Sequence, residues 1–196
     1  MAGDLTVNRV QLGDSTTAAN NFVWQTNTDG TAKLARGNIG ATTQDILTVA
    51  ADGKVNFLEP IVAFSYSPST ATNIATTTPT KIVYSLLDFD TTNSVSNSVF
   101  TAPVAGFYHI TGGVYIGAPI ATGTTIVVSI YKNNSLWVSQ IHTNGIAAYD
   151  SSQVTGIIQL AVGDTVDIRA SHNVGSTINT TITATAKFQG ILLAKV

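Results

Sequence analysis

The sequence predicts an all-β fold, a two-sheet sandwich of jelly-roll type, and three observations carry that prediction. Short runs rich in β-branched and aromatic residues recur along the chain, turn signals separate them, and no stretch sustains a helical period with caps. Regularly spaced short strands of this kind point to a sandwich. The 196 residues suit one domain of about 130 to 150 residues with a smaller extension, or one larger β domain.

Residues 1–58 form the predicted extension, a β-rich stalk or attachment region. Its apolar runs are Leu5-Thr6-Val7, Phe22-Val23-Trp24, Ile46-Leu47-Thr48-Val49 and Lys54-Val55-Asn56-Phe57, separated by Asp29-Gly30, Arg36-Gly37 and Asp52-Gly53. Asp-Gly between extended runs is a hairpin signal, because both residues tolerate positive φ. So short a region buries little core alone. It is expected either to be partly disordered or to become stable when several chains wind or stack together.

The main domain is expected over residues 59–196, with its boundary at Glu59-Pro60. Strands are expected at Ile61–Tyr66, at 81–84 and 86–89, and at 124–132 and 136–141 about an Asn133-Asn134 hairpin turn. Further strands are expected at Ser151–Leu160, at Val166–Arg169 after the Gly163-Asp164 turn, and at Ile182–Val196. Between them, 67–80 and 91–97 read as polar loops.

The most informative stretch is Phe100-Thr101-Ala102-Pro103-Val104-Ala105-Gly106-Phe107-Tyr108-His109-Ile110. Proline lacks the N–H of a ladder and ends a strand, glycine lets the backbone reorient, and a long strand begins on paired aromatics. Alternate residues of a strand point to opposite faces. Tyr108, Ile110, Val114 and Ile116 share one face, while Phe107, His109 and Tyr115 share the other. Both faces are apolar enough to need cover. A sandwich core covers one, so the other requires another layer or another copy of the protein.

Composition excludes several classes of function. Charged residues are 10% of the chain and the net charge is −2, so there is no electrostatic footprint for nucleic acid. Cysteine is absent, which removes disulfides, thiolate metal sites and cysteine nucleophiles. The N-terminus lacks a basic flank and apolar run, and no apolar run is long enough for a membrane-spanning helix. Neither export nor membrane insertion is therefore expected.

Residues 61–196 resemble the globular head domain of the complement-one-q family, a branch of the tumour-necrosis-factor-like jelly rolls. Four ordered blocks carry the resemblance: Phe100 to Tyr108, Ser129-Ile130-Tyr131-Lys132-Asn133-Asn134, Ile158 to Val166, and Phe188-Gln189-Gly190-Ile191-Leu192-Leu193. It implies a ten-stranded, two-sheet jelly roll assembling as a homotrimer, its termini together at one end. Phe100, Tyr108, Ile110 and Phe188 would then lie in the fold core. Phe107, His109, Tyr115, Gln189, Ile191 and Leu193 would face neighbouring subunits. No collagen-like Gly-X-Y repeat precedes the domain. The leader, through Asn21-Phe22-Val23-Trp24, Asp29 to Asn38 and Asp45 to Val49, instead resembles leaders of bacteriophage tail-fibre and other virion appendage proteins.

No spacing among His109, His142 and His172 marks a nucleophile, base and orienter, so no catalytic residue is assigned and no enzyme is expected. Asp88 and Asp90, on one strand face, are the candidates for a calcium ion, but two carboxylates are few for a hard cation. No cofactor is expected. Trp137 and Tyr149, aromatic and near loops, are candidates to stack on sugars. Loops within 91–98, 143–150 and 171–178 are expected at the end away from the stalk.

The expected function is that of a non-enzymatic, trimeric phage tail fibre or receptor-binding tip, assembled in the host cytoplasm and located on the virion. Its partners would be its own copies, other virion proteins through residues 1–58, and a host-surface glycan or protein. The alternatives are a capsid or tail decoration protein with a structural knob, and a bacterial lectin-like adhesin.

Overall fold

The computed structural model describes residues 9–17, 20–39, 41–57, 61–146, 149–183 and 186–196. The run Leu5-Thr6-Val7 and the expected boundary at Glu59-Pro60 lie outside them. The chain divides into two compact units, Met1–Pro60 and Ile61–Val196.

In the first unit, β1 (Arg9–Leu12), β2 (Phe22–Thr26), β3 (Ala32–Asn38), β4 (Ala41–Val49) and β5 (Val55–Phe57) form one antiparallel meander in chain order. The two Asp-Gly pairs make its turns. Asp29 accepts from the Thr31 N–H at 3.0 Å and Asp52 from the Lys54 N–H at 3.1 Å, while Gly30 and Gly53 take φ of 83° and 85°. These are Asx turns closed by a left-handed glycine. Arg36-Gly37, expected to separate strands, instead lies inside β3 at a register shift against β4. Gly37 there has φ 127° and bulges the strand without ending it.

The second unit contains β6 (Ala63–Ser67), β7 (Asn73–Ile74), β8 (Thr80–Lys81), β9 (Leu86–Asp90), β10 (Val95–Ser96), β11 (Val99–Thr101) and β12 (Gly106–Tyr115). These are followed by β13 (Thr125–Lys132), β14 (Ser135–Thr143), β15 (Ser151–Leu160), β16 (Thr165–His172), β17 (Ile178–Asn179) and β18 (Phe188–Lys195). The back sheet runs β10-β11-β16-β13-β14, with β8 also on β16; the front sheet runs β15-β12-β18-β6-β9. With β8 the back sheet has six strands and the front sheet five, and antiparallel neighbours such as β11–β16, β12–β18 and β18–β6 are far apart in sequence, as in a jelly roll.

Aromatic rings fill the space between the layers. Phe64 stacks on Phe100 at 4.7 Å and meets Phe188 edge-on at 4.8 Å, and Phe100 lies 5.3 Å from Tyr108. Phe100, Tyr108, Ile110 and Phe188 are all fully buried. Two glycines make room for them. A Cβ on Gly190 would come within 2.4 Å of the Phe64 ring, and one on Gly112 within 2.4 Å of Ile168. Tyr84 is also buried; its hydroxyl donates to the Gly113 carbonyl at 2.7 Å, and burial pushes its pKa up.

Strand boundaries differ from expectation where packing outweighs composition. Of 81–84, only Lys81 lies in a strand, yet Ile82 and Tyr84 are buried in the core. Loop 67–80 contributes β7, which pairs with β17. The last strand begins at Phe188, not Ile182, which is exposed. At the Asn133-Asn134 turn both residues have positive φ, 50° and 64°, as a tight hairpin of primed type requires.

That turn is tied to the next one. Asn133 Nδ2 donates to Asp164 Oδ1 at 2.8 Å, and Asn133 Oδ1 accepts from the Thr165 N–H at 2.8 Å. The Ala161 N–H and the Lys132 ammonium, each at 2.9 Å, complete the shell of Asp164. The Asn133 side chain, the Ala161 N–H and Lys132 hold its carboxyl down at about 2. Two of the four blocks that carry the family resemblance are therefore halves of one clasp.

Candidate functional site

The two layers turn different surfaces outward. The back sheet's outer face is mixed: Ser129 and Ser139 share a hydrogen bond and Arg169 pairs with Asp167 while lying 4.2 Å over the Tyr131 ring, with Leu136 and Ile141 exposed beside them. The front sheet's outer face is apolar. Strand alternation puts Phe107, His109, Thr111 and Tyr115 of β12 on it, because Tyr108, Ile110 and Val114 point into the core. Pairing extends one row across Ala63, Ile191, His109 and Ile157, and a second across Phe89, Ser65, Gln189, Thr111 and Thr155.

Phe107 is 40% exposed and Ile157 61%; Phe89, Ile191 and Leu193 are exposed as well. Large apolar side chains on one face, bordered by the Asp88–Lys187 ion pair at Ser65, form the kind of patch that marks an interaction surface. Polar members are held in place: His109 Nε2 lies 2.8 Å from Thr155 Oγ1, and Gln189 Nε2 donates to Ser65 Oγ at 3.1 Å. A shallow pocket of about 240 Å³ between Phe89, His109, Gln189 and Ile191 gives the face relief. Tyr115 is half-buried at the end of the face, where it stacks on Tyr149 with centroids 6.4 Å apart.

Phe107, His109, Gln189, Ile191 and Leu193 therefore share one exposed surface, with Tyr115 at its end. Ile157 and Phe89 belong to it and were missed by sequence reading. For Ile157 the signal existed: in Thr155-Gly156-Ile157-Ile158-Gln159 one of two adjacent isoleucines must face outward. Phe89 carried no such signal, because β9 is bulged against β6.

Trp137 and Tyr149 do not form a common site. Trp137, 51% exposed, lines a pocket with Ala105, Lys132, Gln159 and Ala161 beside the start of β12. Tyr149 sits at the far end of that ten-residue strand, about 30 Å away at 3.3 Å per residue. The loops also sort differently from expectation. Residues 143–146, 149–150 and 171–178 lie at the Tyr115 end. Thr91 to Ser94 lie at the opposite end, where Thr91 bonds to the Ile61 and Ala63 carbonyls, and Ser94 accepts from the Thr101 N–H at 2.8 Å. Val196 is at this end too, its N–H donating to Ala105.

Asp88 and Asp90 have separate protein partners instead of a shared site. Asp88 pairs with Lys187 and accepts from Ser65 and Ser67; the Lys187 ammonium and then Ser65 hold its carboxyl below the usual range. Burial pushes Asp90 up, but the backbone N–H groups of Val95, Ser94 and Thr92 outweigh it and lower its pKa. The bulge of β9 separates the two. Among the described residues no three histidine or acidic side chains converge as a metal site.

The histidines lie in three different settings. His142 Nε2 pairs with Asp150 Oδ1 at 3.1 Å. Buried His172 meets the Ile74 carbonyl through Nε2 and accepts from the Val174 N–H through Nδ1, so both ring nitrogens serve a structural bridge. His109 touches Thr155, and no carboxylate orients it among the described residues.

No protein-family model and no curated protein matches the chain in sequence. Solved structures do match. The globular domain of the zebrafish complement 1qA protein aligns with a TM-score of 0.55 and 14% identity, over 69% of this chain and 99% of that one. The fold is that of a complement-one-q and tumour-necrosis-factor-like jelly roll. The Eiger TNF of S. frugiperda aligns with a TM-score of 0.55 and 13% identity over 70% and 96% of the two chains. Murine APRIL at pH 5.0 aligns at 0.51 and 16% identity over 69% and 99%. At such identities the likeness speaks for the fold alone, so any reading of the complement-one-q-like unit must rest on its own residues.

Proposed function

We propose that this protein is a non-enzymatic homotrimer in which the front-sheet face of each jelly roll packs against neighbouring copies, and that it serves as a phage virion appendage recognising a host-surface ligand. The single observation that carries the trimer is the contiguous exposed face of Phe107, Ile157, Ile191, Leu193 and Phe89. A closed ring of three uses heterologous contacts, so each chain meets two others. The resemblance of residues 61–196 to the complement-one-q heads supports three as the number. Residues 143–146 and 171–178, at the end away from Ile61 and Val196, are then presented in three copies, and trivalency raises avidity without a strong single site. The leader's resemblance to tail-fibre proteins supports location on the virion, with attachment to other virion proteins through residues 1–58.

Light scattering tests the assembly. The wild type is expected at trimer mass, and Phe107→Asp, which puts a charge into a dry interface, is expected to leave monomer or aggregate. A trimeric Phe107→Asp removes the face from the interface. Recognition is tested by adding the purified trimer to host cells and to purified particles. Cell binding that competes with infection supports the receptor-binding role; binding to particles alone replaces it with a decoration role.

A further inference from the structure

Among the described residues, the sheet of the first unit has one face that nothing within its own layer covers. Register places Val10, Trp24, Leu34 and Leu47 in one row across four strands, flanked on the same face by Leu12 and Phe22 and by Val49 and Val55. None of these eight side chains is buried, and Trp24 is 37% exposed. The other face carries Gln11, Gln25, Lys33, Asp45 and Thr48, with Lys33 and Asp45 paired at 2.9 Å. Its buried apolar members are the small side chains Val23 and Ala35. A layer with the larger apolar groups outside and the smaller ones inside is half of a structure.

We propose that this apolar face packs against the same face of two other copies of this chain, with the three β3 strands around a common axis. The inference rests on the trimer proposed above. Size selects the occupant. Five strands about 4.8 Å apart and about five residues long give a face of about 400 Å² per chain. That is about the size of the patches that mark interaction sites, but about half of the roughly 800 Å² per partner in a stable complex. Such a face cannot recruit a free partner well. Copies already tethered to one another by a trimeric jelly roll meet at millimolar effective concentration and need no larger contact. The chemistry agrees: Arg36 is the charged side chain on this face among the described residues, and its guanidinium lies 6.0 Å over the Phe22 ring.

Two full-length variants read the packing directly. Trp137→Phe leaves Trp24 as the single tryptophan of a chain that has two. In the trimer, acrylamide quenching of Trp24 is expected to be severalfold weaker than in the Trp137→Phe/Phe107→Asp monomer. The chain has no cysteine, so Leu34→Cys introduces a lone thiol on the row, and Gln25→Cys one on the opposite face. Under mild oxidation Leu34→Cys is expected to form inter-chain disulfides and Gln25→Cys none, because bridging needs Cα atoms within about 7 Å. Equal quenching in trimer and monomer, or cross-linking through Gln25→Cys instead, overturns the inference while leaving the trimer intact. A monomeric wild type overturns both readings.

Discussion

Val10, Trp24, Leu34 and Leu47 line up across the first unit's sheet, and Phe64, Phe100, Tyr108 and Phe188 cluster between the two sheets of the second, yet only the second set is buried. Both units are antiparallel, both use Asp or Asn turns, and both alternate apolar with polar residues. The difference is a second layer. In Ile61–Val196 the front and back sheets each supply the cover the other needs, and hydrophobic stabilisation follows. The meander of the first unit satisfies its ladders and turns but leaves its main apolar row to be covered from elsewhere. Hydrogen-bonded strands alone do not make a stable body, since the net gain per hydrogen bond is modest beside the conformational entropy lost.

The contrast breaks most severely if the second unit loses a ring from its core. Phe64→Ala removes a side chain that touches both Phe100 and Phe188, and a loss of about 3–5 kcal/mol is expected from chemical denaturation. In a Trp137→Phe background the Trp24 signal should follow the same lowered transition, because the cover proposed for its apolar face depends on the trimer held by the second unit. Gly190→Ala tests the same interior by overfilling. Its Cβ would press on the Phe64 ring, and a cost of about 1–3 kcal/mol is expected. Gly53→Ala is a control for space, since no heavy atom lies within 4 Å of its Cβ position and the cost there comes from φ 85° alone.

The smallest effect is the acid sensitivity of the Asn133–Asp164 clasp. Asp164 is lowered from 3.8 to about 2 in the folded protein. Its stabilisation is therefore complete above the unfolded value and lost as pH falls through the folded one. The thermal midpoint of the wild type should exceed that of Asp164→Asn at neutral pH, and the two should converge between pH 3.8 and about 2. A gap that persists below that window would mean that the variant acts by some other route.

Much of the fold was legible because local chemistry and tertiary demand agree. Asp29-Gly30, Asp52-Gly53 and Asn133-Asn134 are turns for reasons confined to two residues, and the limits of Ser151–Leu160 are those of β15. Legibility failed where long-range packing decides. Ile82 and Tyr84 look like strand residues and are core residues on an irregular segment, and Arg36-Gly37 looks like a turn and is a bulge. The candidate site was partly legible for the same reason. Strand alternation alone separates Phe107 and His109 from Tyr108 and Ile110, whereas Phe89 reaches the same face through a bulge that no periodicity announces. Trp137 and Tyr149 show the converse, since nearness to loops in sequence does not say which loops share an end.

The clustering of Ile61, Thr91 to Ser94, Ala105 and Val196 at one end gives the jelly roll a working polarity. One pole gathers Ile61 and Val196, and turns such as 171–178 lie at the other. Cargo, labels or a surface tether appended after Val196 would leave from the gathered pole. Sequences grafted between 171 and 178 would be displayed from the opposite pole as a loop anchored at both ends.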